Sequence, residues 1–476
     1  AYKMSSNSRA ATILLVLAFL AGTFALSRVR PIDGDEGYYA PAARMVSEGR
    51  APYNGFFYPQ APLMPYVYAP WYRVVGDSIA GMRGLSVLAG ALSMWLWASF
   101  LRRRWGDRPW LVLTGFLLVA LNPYFLSWNV TVKTYALTNL CVFAAIWAVD
   151  RAREDRRIVY FAVAGLAAVL AAGVRMLYLP WAVVLVLGMA GWAVFDQGNG
   201  VKPKHALAAL GGAVVAGLPV LFFFAKSPDL FLFNNLEYHQ LRFSPHSAEG
   251  PAFVAALGVL AKAFITNPYL LMTLLLTFAG VAWLRANPDH PHRAVILLTG
   301  VAADVFVLTS LLPDPAYEQY FTGPLTPMMA PAVVAGLAWL SDRMKGWRPV
   351  MAGALVLMVA LSTIDLAVRG TGMDFKETWS FEHLAKVKES IQRNSKPDDP
   401  VLAFWSGYVF ESSRQFVPGM ENHFALGVSE KISLDQKIRY KVAGKEVLLK
   451  ALETQYPELV VLGAWMNEVN SSIDQS

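Results

Sequence analysis

Long apolar runs recur along the chain, and short segments rich in Arg and Lys separate them. A helix needs about 20 such residues to cross a bilayer, because hydrocarbon offers the backbone no hydrogen-bond partner. Runs of this kind fall at 11–30, 81–101, 109–127, 135–150, 157–174, 177–195, 206–224, 264–284, 294–312, 324–341 and 349–368. The pattern predicts a polytopic α-helical membrane protein with about eleven transmembrane helices. Three segments interrupt it, at 31–80, 225–263 and 369–476. In the first, 38–49 carries Tyr39, Ala43 and Val46 at helical spacing and reads as a short helix, with Pro41 in its first turn. Pro59, Pro62 and Pro65 predict an extended path beyond it.

The last segment changes period. Residues 375–395 form an amphipathic helical pattern, 400–405 a strand, 445–455 a helix and 458–464 another strand. That alternation predicts a small α/β domain. The expected division is a transmembrane domain over 1–368, with loops at 31–80 and 225–263, followed by the α/β domain over 369–476.

Charge orients the bundle, since short loops rich in Lys and Arg stay in the cytoplasm. Alternation from a cytoplasmic N-terminus puts Arg102–Arg104 with Arg108, the Arg151–Arg157 cluster, Lys202 with Lys204, Arg285 with Arg293, and Arg343 with Arg348 all inside. Arg28 and Arg30 run against the rule. The first run reads as a retained anchor, because no small-residue cleavage site follows it. With an odd number of spans the tail is extracytoplasmic, in a multi-pass protein of the inner (plasma) membrane. Composition agrees, with 55% hydrophobic and 16% charged residues. The pI near 9.3 arises from loops that lie beside lipid head groups, so no nucleic-acid partner is implied. A lone cysteine, Cys141, excludes an intramolecular disulfide and a Cys-based metal site.

Candidate chemistry gathers in the outer segments. Asp33, Asp35 and Glu36 follow the first span, and three carboxylates in four positions are costly there unless hydrated, paired or bound to a cation. Asp35 can equally act as the N-cap of the following helix. Lys133 and Arg175 stand at outer span ends, where they either snorkel to lipid phosphate or bind a phosphate-bearing ligand. His239 and Arg242 lie together in the second loop, a pairing suited to phosphate.

The order of these motifs resembles the polyprenyl-phosphate-sugar-dependent glycosyltransferases of the GT-C fold, the group that holds the lipid A aminoarabinose transferases and the protein O-mannosyltransferases. The resemblance covers about 30–345 and rests on the Asp35-Glu36 pair, the Ala-x-x-Met helix, the Pro62-Leu63 element, Arg83, His239-x-x-Arg242-Phe243 and Tyr320 to Pro327. It implies an inverting transfer of sugar from an undecaprenyl-type phosphate to a lipid, glycan or protein hydroxyl, as in lipopolysaccharide modification. Asp35 is then the catalytic base with Glu36 as its acidic neighbour, and Arg175, Lys133, Arg242 and His239 contact the donor phosphate. Tyr38, Tyr39, Tyr58, Gln60 and Tyr320 line the sugar and lipid pockets. The family's Glu-Lys-Pro-Pro-Leu stretch reads Pro59-Gln60-Ala61-Pro62-Leu63 here. A metal-binding acid is thereby lost, so a divalent metal is at most weakly bound, at Asp35 and His239. Two other readings fit such a chain: a flippase or transporter of lipid-linked sugars, and an envelope scaffold whose catalysis has lapsed.

Overall fold

The computed structural model describes residues 6–195, 201–242, 252–288, 293–312, 318–369, 378–454 and 457–463. Part of the second expected loop, 243–251, and the residues around the expected domain boundary, 370–377, lie outside that set.

Seven described helices are long and apolar enough to cross a membrane: Arg9–Val29 within α1 (Ser6–Val29), α4 (Ile79–Trp105), Met176–Phe195 including α9 (Leu179–Phe195), α10 (Pro203–Lys226), α14 (Pro268–Ala286), α15 (Arg293–Ser310) and α16 (Gln319–Arg343). An eighth arises if α5 (Pro109–Ala120) and α6 (Pro123–Asn129), bent by 60°, count as one span. This corrects the expectation of about eleven, and the missing three have physical reasons. The run at 135–150 belongs to α7 (Thr134–Asp155), whose last six residues include five charges. The run at 157–174 is α8 (Ile158–Val174), only 17 residues long. That at 349–368 is α17 (Arg348–Arg369), whose apolar run is broken by Asp365. At α5–α6, Pro123 lacks an N–H and Asn122 accepts from the Phe125 amide at 2.9 Å, so a new helix starts at an angle.

The first loop is mostly helical. α2 (Glu36–Ser47) starts two residues before the expected position, and α3 (Leu63–Val75) replaces the extended path expected after Pro62. Pro65 is tolerated because it sits in the first turn of α3, where its missing N–H has no intrahelical partner to lose.

The bundle has two distinct ends, set apart by α4, whose 27 residues span about 40 Å. At one, Arg104 and Arg103 meet the buried Asp150, while Arg108 and Arg348 meet Asp342. At the other lie the first loop, α11 (Pro228–Leu232), α12 (Tyr238–Arg242) and the C-terminal domain. Long-range bonds gather them: Tyr58 donates its amide to Asn234 Oδ1 at 3.0 Å, Ile32 to the Trp379 carbonyl at 2.7 Å, and Lys431 Nζ reaches the Leu241 carbonyl at 2.6 Å.

The C-terminal domain is a small α/β unit. A three-stranded parallel sheet of β1 (Pro400–Ala403), β2 (Gln415–Phe416) and β3 (Leu459–Val461) has the order β2-β1-β3. Around it stand α18 (Phe381–Arg393), α19 (Ser406–Glu411), and the helices Leu434–Tyr440 and Lys445–Glu453. Its core joins that of the first loop, with Trp405, Tyr408 and Val428 in one buried cluster with Tyr38, Tyr39 and Tyr58.

Candidate functional site

Arg83, in the first turns of α4, organises the site. Its guanidinium is wholly buried, so each N–H needs a protein acceptor. Nε and Nη2 donate to the two oxygens of Glu36 at 2.8 and 2.5 Å. The remaining donors reach the carbonyls of Ser27, Arg30 and Pro31 at 2.8, 2.9 and 3.0 Å, satisfying the open end of α1. Glu36 also accepts from the amides of Asp33 and Val132, both at 2.9 Å. Its carboxylate therefore pins the end of α1, the start of α2 and the turn before α7 to one another. Glu36 is fully enclosed by these four bonds.

Asp33 and Asp35 share one cation. Lys133 Nζ lies 2.8 Å from Asp33 Oδ1 and 2.8 Å from Asp35 Oδ2. Burial opposes ionisation of Asp33, yet Lys133 and Arg30 beside it hold its carboxyl below the usual range. Burial likewise opposes the charge on Lys133, but the two aspartates outweigh it and hold the ammonium above its ordinary value. The mutual repulsion expected of three adjacent carboxylates is thus relieved, each having a cation of its own or a shared one. Arg30, which ran against the charge rule, is likewise used internally. It donates to Thr131 Oγ1 and lies over the Trp128 ring.

Asp35 occupies the N-cap position of α2 without capping it: its side chain makes no capping bond, and its own amide donates to Asp33 Oδ1 at 3.0 Å. The turn is held by Asp33, so the Asp35 carboxylate pairs with Lys133 rather than capping the helix. Asp35 is 27% exposed at the side chain against 8% for Asp33.

Lys133 and Arg175 both turn into the protein rather than toward lipid. Lys133 lies 4.7 Å from the Trp128 ring centre, and Trp128 stacks on Tyr135 at 4.8 Å. Arg175, just after α8, sits 4.6 Å from the Tyr135 ring and 5.5 Å from that of Tyr320, and donates to Thr134 Oγ1 at 3.1 Å. It forms no ion pair among the described residues. Arg175, Lys133 and Asp35 thus form one charged cluster, linked through the Tyr135 and Trp128 rings and lying within electrostatic reach of Tyr39.

The tyrosines form a wall beside it. Tyr38 and Tyr39 have ring centres 4.1 Å apart, and each lies 6.3 Å from Tyr58. Burial raises the Tyr38, Tyr39 and Tyr58 hydroxyls above their ordinary values, keeping them neutral donors. Gln60 follows this wall, half-buried. His239 has one ring nitrogen 3.0 Å from the Pro59 carbonyl, so that nitrogen carries the proton. Burial lowers its pKa to about 4, leaving the ring neutral at pH 7. Arg242 lies over Phe424 at 4.4 Å, and Phe424 meets Tyr38 edge-on at 5.4 Å. The two second-loop residues therefore support the Pro59 turn and the C-terminal domain.

The C-terminal domain completes the enclosure. Trp405 Nε1 donates to the Gly34 carbonyl at 2.8 Å, and its ring covers Gly37, where a Cβ would come within 2.2 Å of the indole. Arg44 donates to the Arg414 carbonyl at 3.0 Å, and Glu411 accepts from the Ile79 amide at 2.5 Å. Trp128, Thr134, Tyr135 and Trp405 are participants that sequence reasoning missed. The one available signal was Lys133-Thr134-Tyr135, a polar stretch at a span boundary; Trp405 gave none. Among the described residues no three His, Cys, Asp or Glu side chains form a group that could hold a metal ion.

Known proteins share this architecture. Residues 59–223 match the dolichyl-phosphate-mannose-protein mannosyltransferase family. The crystal structure of ArnT from Cupriavidus metallidurans in the apo state superposes with a TM-score of 0.64 at 15% identity, covering 93% of this chain and 91% of that one. The same protein bound to undecaprenyl phosphate gives 0.63 at 15% identity over 92% of this chain and 90% of that one. GPI mannosyltransferase 1 from Aspergillus fumigatus is 28% identical over 137 residues, which span 28% of this chain and 32% of that enzyme. The chain shares its fold with the membrane protein ArnT, and its residues 59–223 are similar in sequence to the dolichyl-phosphate-mannose-protein mannosyltransferase family.

Proposed function

We propose that this protein is an inverting glycosyltransferase that moves a sugar from a polyprenyl phosphate to an acceptor hydroxyl, at the end of the bundle covered by the C-terminal domain. The observation that carries the reading is Arg175. A buried guanidinium with no ion pair among the described residues, connected through Tyr135, Trp128 and Lys133 to the partly exposed Asp35, supplies a phosphate contact near a base. The solved relative with undecaprenyl phosphate bound supports a lipid phosphate as the donor's head.

In this reaction Asp35 accepts the proton of the acceptor hydroxyl. The acceptor oxygen bonds to the anomeric carbon as the bond from that carbon to the phosphate oxygen breaks, and the electron pair leaves with the polyprenyl phosphate. Single displacement inverts the anomeric centre. Arg175 stabilises the charge that develops on the phosphate, and Lys133 holds Asp35 in place while lending its own positive charge. Glu36 acts through Arg83 as a positioning residue. Tyr38, Tyr39, Tyr58, Gln60 and Tyr320 border sugar and lipid, and His239 orients the Pro59 turn. The active end faces the extracytoplasmic side, because the opposite end carries the paired arginines.

The test is direct: purified protein receives polyprenyl phosphate carrying a radiolabelled sugar, together with an extract of envelope lipids and glycans. Transfer of label with release of polyprenyl phosphate supports the proposal. Intact donor appearing across a vesicle bilayer would make the protein a flippase, and intact donor left in place would make it a scaffold.

A further inference from the structure

A second feature lies at the opposite end of the bundle, where several arginines pair with carboxylates of the protein. Arg104 pairs with Asp150, Arg103 with Glu154 at 2.6 Å, and Arg108 with Asp342 at 2.9 Å. Arg285 and Arg343, the last basic residues of α14 and α16, depart from this. Both are exposed and neither forms an ion pair among the described residues.

Both border one groove, a cavity of about 680 Å³ between α14 and α16. The two helices touch just before it. A Cβ on Gly280 would meet the Ala332 carbonyl oxygen at 2.3 Å, and one on Gly336 the Leu276 carbonyl oxygen at 2.0 Å, so these glycines let the backbones close together. Beyond this contact the walls are Phe278, Val281, Ala282 and Trp339, with Phe278 62% exposed. The Arg343 guanidinium lies 3.9 Å from the Trp339 ring centre, and the enclosed indole N–H of Trp339 has no partner among the described residues. The groove thus joins an apolar wall to two guanidinium groups at its polar end.

We infer that this groove binds one anionic glycerophospholipid, whose phosphate meets Arg285 and Arg343 while an acyl chain lies along Phe278 and Val281. Charge complementarity selects the occupant. Two cations without carboxylate partners call for an anion, and a lipid brings its anion already attached to an apolar chain. A zwitterionic lipid carries a compensating ammonium and gains less. This site is distinct from the proposed transferase centre, and its test does not depend on transfer.

Native mass spectrometry of the full chain, equilibrated with equimolar phosphatidylglycerol and phosphatidylcholine of matched acyl chains, reads the preference. Phosphatidylglycerol should be retained about tenfold over phosphatidylcholine, and R285Q/R343Q should bring the ratio to parity. R285K/R343K should keep part of the preference, showing that charge rather than misfolding decides the result. R285Q alone, at an exposed position, should lower the ratio if the double variant does not fold. Equal retention by the wild type, or an unchanged preference in the glutamine variants, would overturn the inference and leave both arginines as ordinary helix-end charges. Displacement of bound phosphatidylglycerol by millimolar inorganic phosphate would overturn the lipid assignment.

Discussion

The Lys133 ammonium bridges Asp33 and Asp35 at 2.8 Å from each, joining the start of α7 to the turn before α2. Removing one partner of a buried ion pair leaves an uncompensated charge, and such changes cost about 3–5 kcal/mol. Lys133→Met should therefore lower the thermal unfolding midpoint in detergent and suppress transfer. Lys133→Arg should recover much of the stability. A methionine variant as stable as wild type would show that the aspartates are solvated rather than bridged.

Glu36 and Asp35, adjacent in sequence, should respond differently to loss of charge. Glu36→Gln keeps the shape but weakens the pair with the wholly buried Arg83, and should destabilise the fold by about 3 kcal/mol. Its folded fraction should still bind donor lipid. Paired unfolding and binding measurements check this, and loss of turnover at unchanged stability would instead move Glu36 into the chemistry.

How much of this could be read in the sequence depends on the range of the contact. The apolar runs are local, so most helices and the strands at 400–405 and 458–464 were legible. Glu36 and Arg83 are 47 positions apart, and Gly34 and Trp405 are 371 apart. Nothing local distinguishes a carboxylate that will be enclosed from its neighbour that will remain open. Bilayer-spanning length was also over-read, because charges at the end of α7 and the bend at Pro123 shorten runs that look continuous as hydropathy.

Acid should destabilise the protein through its buried histidines. Burial lowers His239 to about 4 and His423 to about 3, both below the unfolded value of about 6.5. The unfolded state therefore binds more protons in this window, and stability is complete above about pH 6.5 and falls toward pH 4. Unfolding midpoints measured from pH 7 to 4.5 should decline by an amount equivalent to about 2 kcal/mol for each histidine. His239→Gln should flatten the slope, and an unchanged slope in both His239→Gln and His423→Gln would place its origin elsewhere.

Docking of the C-terminal domain relies on a glycine. A Cβ at Gly37 would lie 2.2 Å from Trp405 Nε1, so Gly37→Ala should push Trp405 off the Gly34 carbonyl. Hydrogen exchange at 400–411 should then quicken and transfer should fall, with the bundle intact. Unaltered exchange would show that the interface absorbs the methyl group.

Arg175→Ala should weaken binding of polyprenyl phosphate by about 1–3 kcal/mol, the range for a charge-assisted contact to phosphate. Fluorescence titration of the lipid phosphate reads it. Undiminished affinity would return Arg175 to a packing role between Tyr135 and Tyr320.

The central claim, that Asp35 takes the acceptor's proton, is tested most directly by the turnover of Asp35→Asn under saturating donor. Asparagine keeps the size of the side chain but cannot accept the proton. Because the Asp35 side chain makes no capping bond, and Asp33 still pairs with Lys133 when Asp35 is replaced, folding does not depend on the Asp35 charge. The variant should remain folded, bind donor lipid, and lose about 100-fold or more in transfer rate. A folded Asp35→Asn protein that transfers sugar at the wild-type rate would contradict the account.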